Sequence, residues 1–299
     1  MKSVLWLVLL FPAMLLAQSV FDGTWVAKLD TAKLPKRPEV YLLQNGIYEC
    51  SSCVPKLKIN ADGKDYPIAG SPYFSTVSIR VIDDNNIQLT EKQGDKIVYS
   101  ETDAGSPNGE TLLQNVTDSA APTGQPVTAE ESYMRISPGP VGSNLISGSW
   151  QAQKIDITSD NGVTVTYRST AHGLQASNPG GEGYDAKFDG NEYLIHGDPV
   201  HSTVSLKQIN AHTIVETDKQ DGAVHYRLVM AVSPDGKWMK VTETDGERNQ
   251  DDLHDGEEVA MKIAGSSALS LRTGTCAAQI RYAHVRHLHI YVLLDTGST

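Results

Sequence analysis

Cys50 and Cys53 are the one close cysteine pair in a chain with three cysteines, and their Cys-Ser-Ser-Cys spacing suits three kinds of chemistry. It could exchange thiols, supply half of a zinc site, or close a hairpin as a disulfide. A thiol oxidoreductase needs its first cysteine at a helix N-terminus, where the local field lowers the thiol pKa. Here the flanks Ile47-Tyr48-Glu49 and Leu57-Lys58-Ile59 alternate like strands. A zinc ribbon needs a second pair, and Cys276 stands alone. The expectation is therefore a structural disulfide between Cys50 and Cys53.

The histidines offer less. His284, His287 and His289 could place two imidazoles on one strand face, but zinc requires three or four ligands with hydrogen-bonded support. Solvent-exposed histidines are the expected reading, so no metal and no cofactor is assigned. A Gly-x-Ser-x-Gly nucleophile elbow is absent. The acidic stretch 245–258 lacks the alternate-position ligand spacing of an EF-hand.

A long internal repeat sorts the remaining candidates. Displaced by 127 residues, positions 62–136 match 189–263 at 26 of 75 places without a gap. The period is far above that of solenoids and propellers, which implies one small domain present twice. His196, His201, His212 and His225 align with Ala69, Phe74, Asn85 and Val98, so the shared fold does not need those imidazoles. Positions kept in both copies include Tyr66/Tyr193, Thr76/Thr203, Lys92/Lys219 and Tyr99/Tyr226. Such residues favour strands and guard edges, and Tyr and Thr on an inward face also line small-ligand cavities. Tyr66, Thr76, Tyr193 and Thr203 are the ligand-binding candidates.

These residues must be positioned by strands. Val77-Ser78-Ile79-Arg80-Val81 and Val204-Ser205-Leu206-Lys207 alternate apolar and polar residues, as half-buried strands do. Asp-Gly and Asn-Gly turns separate short strands throughout. No helical periodicity extends over a useful window. The fold class expected is all-β, with each copy an antiparallel sheet closed into a barrel to hide its edges. Residues 21–137 form barrel repeat 1, the Pro/Gly/Ser-rich 138–144 a linker, 145–264 barrel repeat 2, and 265–299 an atypical tail.

The uncharged run 4–17 behind Lys2 predicts a signal peptide over 1–17, hence a periplasmic or secreted protein. It is too short to span a bilayer, and no later segment is long enough, so a membrane-spanning chain is not expected. A net charge of −11 disfavours nucleic acid and leaves cationic or neutral small molecules as the partners least penalised. Oligomeric state is not readable.

Both copies open alike, with Phe21-Asp22-Gly23-Thr24-Trp25 and Ile146-Ser147-Gly148-Ser149-Trp150. This Gly-x-Trp resembles the opening of lipocalin and calycin barrels. Together with Gly46-x-Tyr48-x-Cys50-x-x-Cys53-x-Pro55, Ala61-Asp62-Gly63, Gly70-Ser71-Pro72-Tyr73 and Ser233-Pro234-Asp235-Gly236-Lys237, it resembles exported, uncharacterised tandem β-barrel proteins of soil bacteria, acidobacteria in particular. The resemblance implies two lipocalin-like barrels and brings no catalytic residues. Separately, Leu293-Leu294-Asp295-Thr296-Gly297-Ser298 resembles the catalytic loop of aspartic proteases. By that resemblance Asp295 is the catalytic aspartate, with Thr296 and Gly297 shaping its turn. Only four residues follow Asp295, and no second Asp-Thr/Ser-Gly exists to complete a dyad. The expectation carried forward is a small-ligand or non-catalytic envelope protein, with an aspartic-type endopeptidase as the alternative.

Overall fold

The computed structural model describes residues 19–29, 38–53, 55–245 and 257–264. The signal peptide expected over 1–17, Cys276, the tail histidines, and Asp295, Thr296 and Gly297 lie outside the described residues.

Strands dominate the described chain. They are β1 (Gly23–Ala27), β2 (Glu39–Gln44), β3 (Ile47–Cys50), β4 (Leu57–Asn60), β5 (Tyr66–Pro67), β6 (Thr76–Val81), β7 (Asn86–Gln93), β8 (Lys96–Gly105), β9 (Thr111–Asp118) and β10 (Val127–Pro138). There follow β11 (Gly148–Ile157), β12 (Thr164–Ser169), β13 (Gly173–Ser177), β14 (Gly183–Lys187), β15 (Tyr193–Leu194), β16 (Thr203–Asn210), β17 (Thr213–Gln220), β18 (Ala223–Val232), β19 (Trp238–Asp245) and β20 (Glu257–Ile263). They form two ten-stranded antiparallel sheets, each nearly closed into a barrel. The all-β tandem-barrel class read from turn spacing and alternation is the one observed. In β6, Val77 and Ile79 are fully buried, as are Val204 and Leu206 in β16.

Sheet membership cuts across the sequence repeat. The first barrel runs β4-β3-β2-β11-β10-β9-β8-β7-β6-β5, and the second runs β14-β13-β12-β1-β20-β19-β18-β17-β16-β15. Strand β11, which opens the second copy, pairs with β10 and with β2, where Trp150 faces Glu39. Strand β1, which opens the first copy, pairs with β12 and β20, where Trp25 faces Val165 and Ile263. Each copy therefore lends its first strand to the other's barrel. Residues 138–144 connect adjacent antiparallel strands of one sheet, with Asn144 N bonded to Leu43 O at 2.9 Å.

Each cylinder is joined beyond its regular ladder. In the first, Asp62 bridges Arg80 and Gly63 N donates to Ile79 O at 2.8 Å. In the second, Gly183 and His196 exchange both backbone bonds, at 2.7 and 3.1 Å. Two cores result, one around Trp25 with Leu174, Leu206 and Met239, the other around Trp150 with Tyr48, Ile79 and Leu112.

The Gly-x-Trp device has a local cause. Gly23 and Gly148 sit at φ +133° and +140°, which disfavours any L side chain. Each following tryptophan is wholly buried, and its indole Nε1 donates at 2.8 Å to a carbonyl four residues earlier, Phe21 O or Ile146 O. A buried indole N–H needs such a partner. The Arg135 guanidinium lies 4.0 Å from the Trp150 ring centroid and donates to the carbonyls of Gly109, Leu145 and Ser147.

Candidate functional site

Alternation that begins apolar in the first barrel ends polar. On β7, Ile87, Leu89 and Glu91 point the same way and all are buried. The same phase in β9 carries Leu112, Gln114 and Val116, all buried. Asp103 from β8 and Glu131 and Tyr133 from β10 join them, with partly buried Tyr99 and Glu101. From the opposite wall come Tyr41 on β2 and Tyr48 on β3, with stacked rings 6.3 Å apart at 23°.

Gln114 organises this interior. Its Nε2 donates to Asp103 Oδ1 at 2.8 Å and to Glu101 Oε1 at 3.0 Å, and lies 3.4 Å from the Tyr41 hydroxyl. Strands β11 and β10 separate β2 from β9 in the sheet, so the contact between Tyr41 and Gln114 crosses the inside of the barrel. Tyr99 donates to Glu101 Oε2 at 2.5 Å, and Tyr133 donates to Glu131 Oε2. Asp103 Oδ2 and Glu131 Oε1, both buried, accept no hydrogen bond.

Among the described residues no Lys, Arg or His forms an ion pair with Glu101, Asp103 or Glu131. The ion pairs among the described residues (Lys58–Glu49, Lys64–Asp62, Lys92–Asp65, Lys154–Asp156 and Lys219–Glu192) all involve other acids. Burial consequently raises the pKa of Glu131 to about 8; the Tyr133 hydroxyl opposes the rise, and the charges of Glu101 and Glu39 add to it. Burial raises Asp103 well above the carboxylate range, and the neighbouring Glu101 charge raises it further. Glu101 is raised by burial too, held back by its bonds with Asp103 and Tyr99. Two carboxyls on alternate positions of one strand, bridged by one amide, hold a proton between them more readily than two full charges.

The second barrel keeps the principle and changes the residues. Tyr184 donates to Glu216 Oε2 at 2.5 Å, and Asp218 and Glu243 are buried nearby in sequence phase. Burial, then the Asp218 charge, raise Glu216 well above its usual range. Through the 127-residue shift, Glu101, Asp103 and Gln114 correspond to Leu228, Met230 and Val241, whereas Leu89 and Val116 correspond to Glu216 and Glu243. Acidic in both copies are Glu91/Asp218 and Glu131/Glu258. The two interiors thus differ in where their charge sits.

The residues expected from sequence lie elsewhere. Tyr66 donates to Asp62 Oδ2 at 3.1 Å, and Tyr193 donates to Asp189 Oδ2 at 2.9 Å, so in both copies the tyrosine ties down the Asp-Gly turn before it. Thr203 donates to Glu192 at 3.0 Å, and the Thr76 hydroxyl is buried with no partner. These four belong to the short strands β5 and β15 and their neighbours β6 and β16, at the ends of the two sheet orders. Cys50 and Cys53 are joined by a disulfide, S–S 2.00 Å, at the end of β3. Among the described residues no group of three or more His, Cys, Asp or Glu could hold a metal ion, and no helix is long and apolar enough to cross a membrane.

Sequence reasoning missed the carboxylate cluster. The available signal was phase: continuing Ile87-x-Leu89 by two residues gives Glu91, and continuing Ile214 gives Glu216 and Asp218. On β8 the run Tyr99-Ser100-Glu101-Thr102-Asp103 is polar on both faces, so alternation is silent there. No family model, no curated protein and no solved structure matches this chain.

Proposed function

We propose that this is an exported tandem-barrel protein that binds a small molecule inside its first barrel, without catalysis. The observation that carries the reading is the polar interior: Asp103, Gln114 and Glu131 are buried in a ten-stranded cylinder, and two of their oxygens have no partner. Leaving a buried polar atom unbonded costs about 1–3 kcal/mol, and selection for stability alone would replace it. Eight strands already enclose enough space for one small ligand, and diameter grows with strand number. Export is supported by the Cys50–Cys53 disulfide, since such bonds persist in oxidising compartments.

The test is a thermal-shift screen of the full chain against small molecules balanced for positive, negative and zero charge, with Trp150 fluorescence as a second readout. At least one class should raise the melting temperature of the first barrel and perturb Trp150. A screen in which no class does so removes the reading.

A further inference from the structure

The identity of the occupant can be narrowed from what surrounds it, on the reading that the first barrel binds a ligand. We infer that it takes a small organic cation, an amine or quaternary ammonium on a compact apolar body, with the charge seated between Asp103 and Glu131.

Four observations carry this. Asp103 Oδ2 and Glu131 Oε1 are acceptors with nothing to accept from, and a neutral apolar guest would leave them so. An anion would meet Glu101, Asp103 and Glu131, and among the described residues no basic side chain forms an ion pair with any of the three. A bare metal ion needs several oxygen ligands at once, and no such group exists among the described residues. Tyr41, Tyr48, Tyr99 and Tyr133 bring aromatic rings into the same interior, and ring faces attract ammonium groups by about 0.5–2 kcal/mol each. In the second barrel Met230, Leu228 and Val241 stand at the positions of Asp103, Glu101 and Gln114 and the buried acids are Glu216, Asp218 and Glu243, so the seat between Asp103 and Glu131 is particular to the first barrel.

Proton linkage gives the proposal its own signature. Burial favours the protonated form of Glu131 and Asp103. Glu131 faces Tyr133, Glu101 and Glu39, and Asp103 faces Glu101, Gln114, Glu131 and Tyr48. None of these partners is a cation. An arriving ammonium favours the ionised carboxylate, so binding near neutral pH should expel protons, and affinity should rise with pH up to the neighbourhood of 8.

The experiment is calorimetric titration of the full chain with three probes of one shape: phenethylamine, phenethyl alcohol and phenylacetate. The amine is expected to bind at least tenfold more tightly than the alcohol, and phenylacetate not at all. Repeating the amine titration in buffers of different ionisation heat should show net proton release near pH 7. The isosteric Asp103→Asn/Glu131→Gln double variant should abolish both the preference and the proton release while folding normally by circular dichroism. Equal affinity for amine and alcohol, or tighter phenylacetate, overturns the charge assignment and leaves ligand binding itself standing. Failure of all three probes overturns the charge assignment as well, and ligand binding then stands or falls on the broader thermal-shift screen.

Discussion

Trp25 and Trp150 are equivalent residues of the two sequence copies, and each is buried in the barrel that the other copy supplies. Repeat unit and structural unit are therefore offset by one strand. The first barrel is continuous over β2 to β11, whereas the second needs β1 to fill the gap between β12 and β20. A fragment of residues 38–158 is expected to fold as a closed barrel. A fragment of residues 159–264 should unfold without cooperativity until a peptide of residues 19–29 is added. Near-ultraviolet circular dichroism on both fragments decides it; a fragment of 21–137 more stable than 38–158 would sink the exchange.

The two motif glycines should differ in tolerance. A Cβ on Gly148 would lie 2.4 Å from Ser137 O and 2.6 Å from Arg135 Nη1, whereas on Gly23 the nearest atom is the movable Ile263 Cδ1 at 2.9 Å. Both substitutions incur the strain of a positive φ, of order 1–3 kcal/mol. Gly148→Ala is expected to destabilise the first barrel by about 2 kcal/mol more than Gly23→Ala destabilises the second. Urea denaturation followed by tryptophan fluorescence measures both.

Arg135 acts as a clasp on the first barrel, reaching three carbonyls and one ring. Its planar fork is matched to that task, and lysine is not a substitute for it. Arg135→Ala should cost about 2–4 kcal/mol, with Arg135→Lys recovering less than half. Full recovery by lysine would show that charge alone matters there.

Stability should fall as pH rises. Glu131 has a folded pKa of about 8 against an ordinary value of 4.5, so the folded state binds its proton more tightly than the unfolded state does. The contribution is full below about pH 4.5 and is lost as pH climbs towards 8. Asp103 and Glu101 shift in the same direction. Exposed Asp62, Asp83, Asp189, Glu192 and Asp235 shift down, so their contribution is lost in acid, below the ordinary carboxylate range. Denaturant midpoints should therefore peak near pH 5, and Glu131→Gln should flatten the decline above it. An unchanged slope in that variant counts against a buried, protonated Glu131.

Strand positions were legible wherever one face was apolar and the other polar, as in Val77-Ser78-Ile79 and Val204-Ser205-Leu206. The partner of each opening strand was not. Phe21 to Trp25 and Ile146 to Trp150 carry the same glycine and the same tryptophan, so either strand satisfies either barrel on local grounds. The interior acids were hidden for a different reason. Sequence patterning equates polar with solvent-facing, and a barrel that keeps a polar lining breaks that rule at Glu91, Asp103 and Gln114 while obeying it at Ile87 and Leu112.

The placement of β1 also sets an order of assembly. As the chain emerges, β1 appears before any of its partners, and the register of Trp25 with Ile263 cannot form until the last described strand arrives. The first barrel can close in the meantime, since all ten of its strands are already present by Ile157. Closing so long a loop adds only modest entropy if the intervening chain has already condensed, but it slows the final step. The second barrel is thus a latch that engages last, and until it does, β1 waits without the two strands that pair with it.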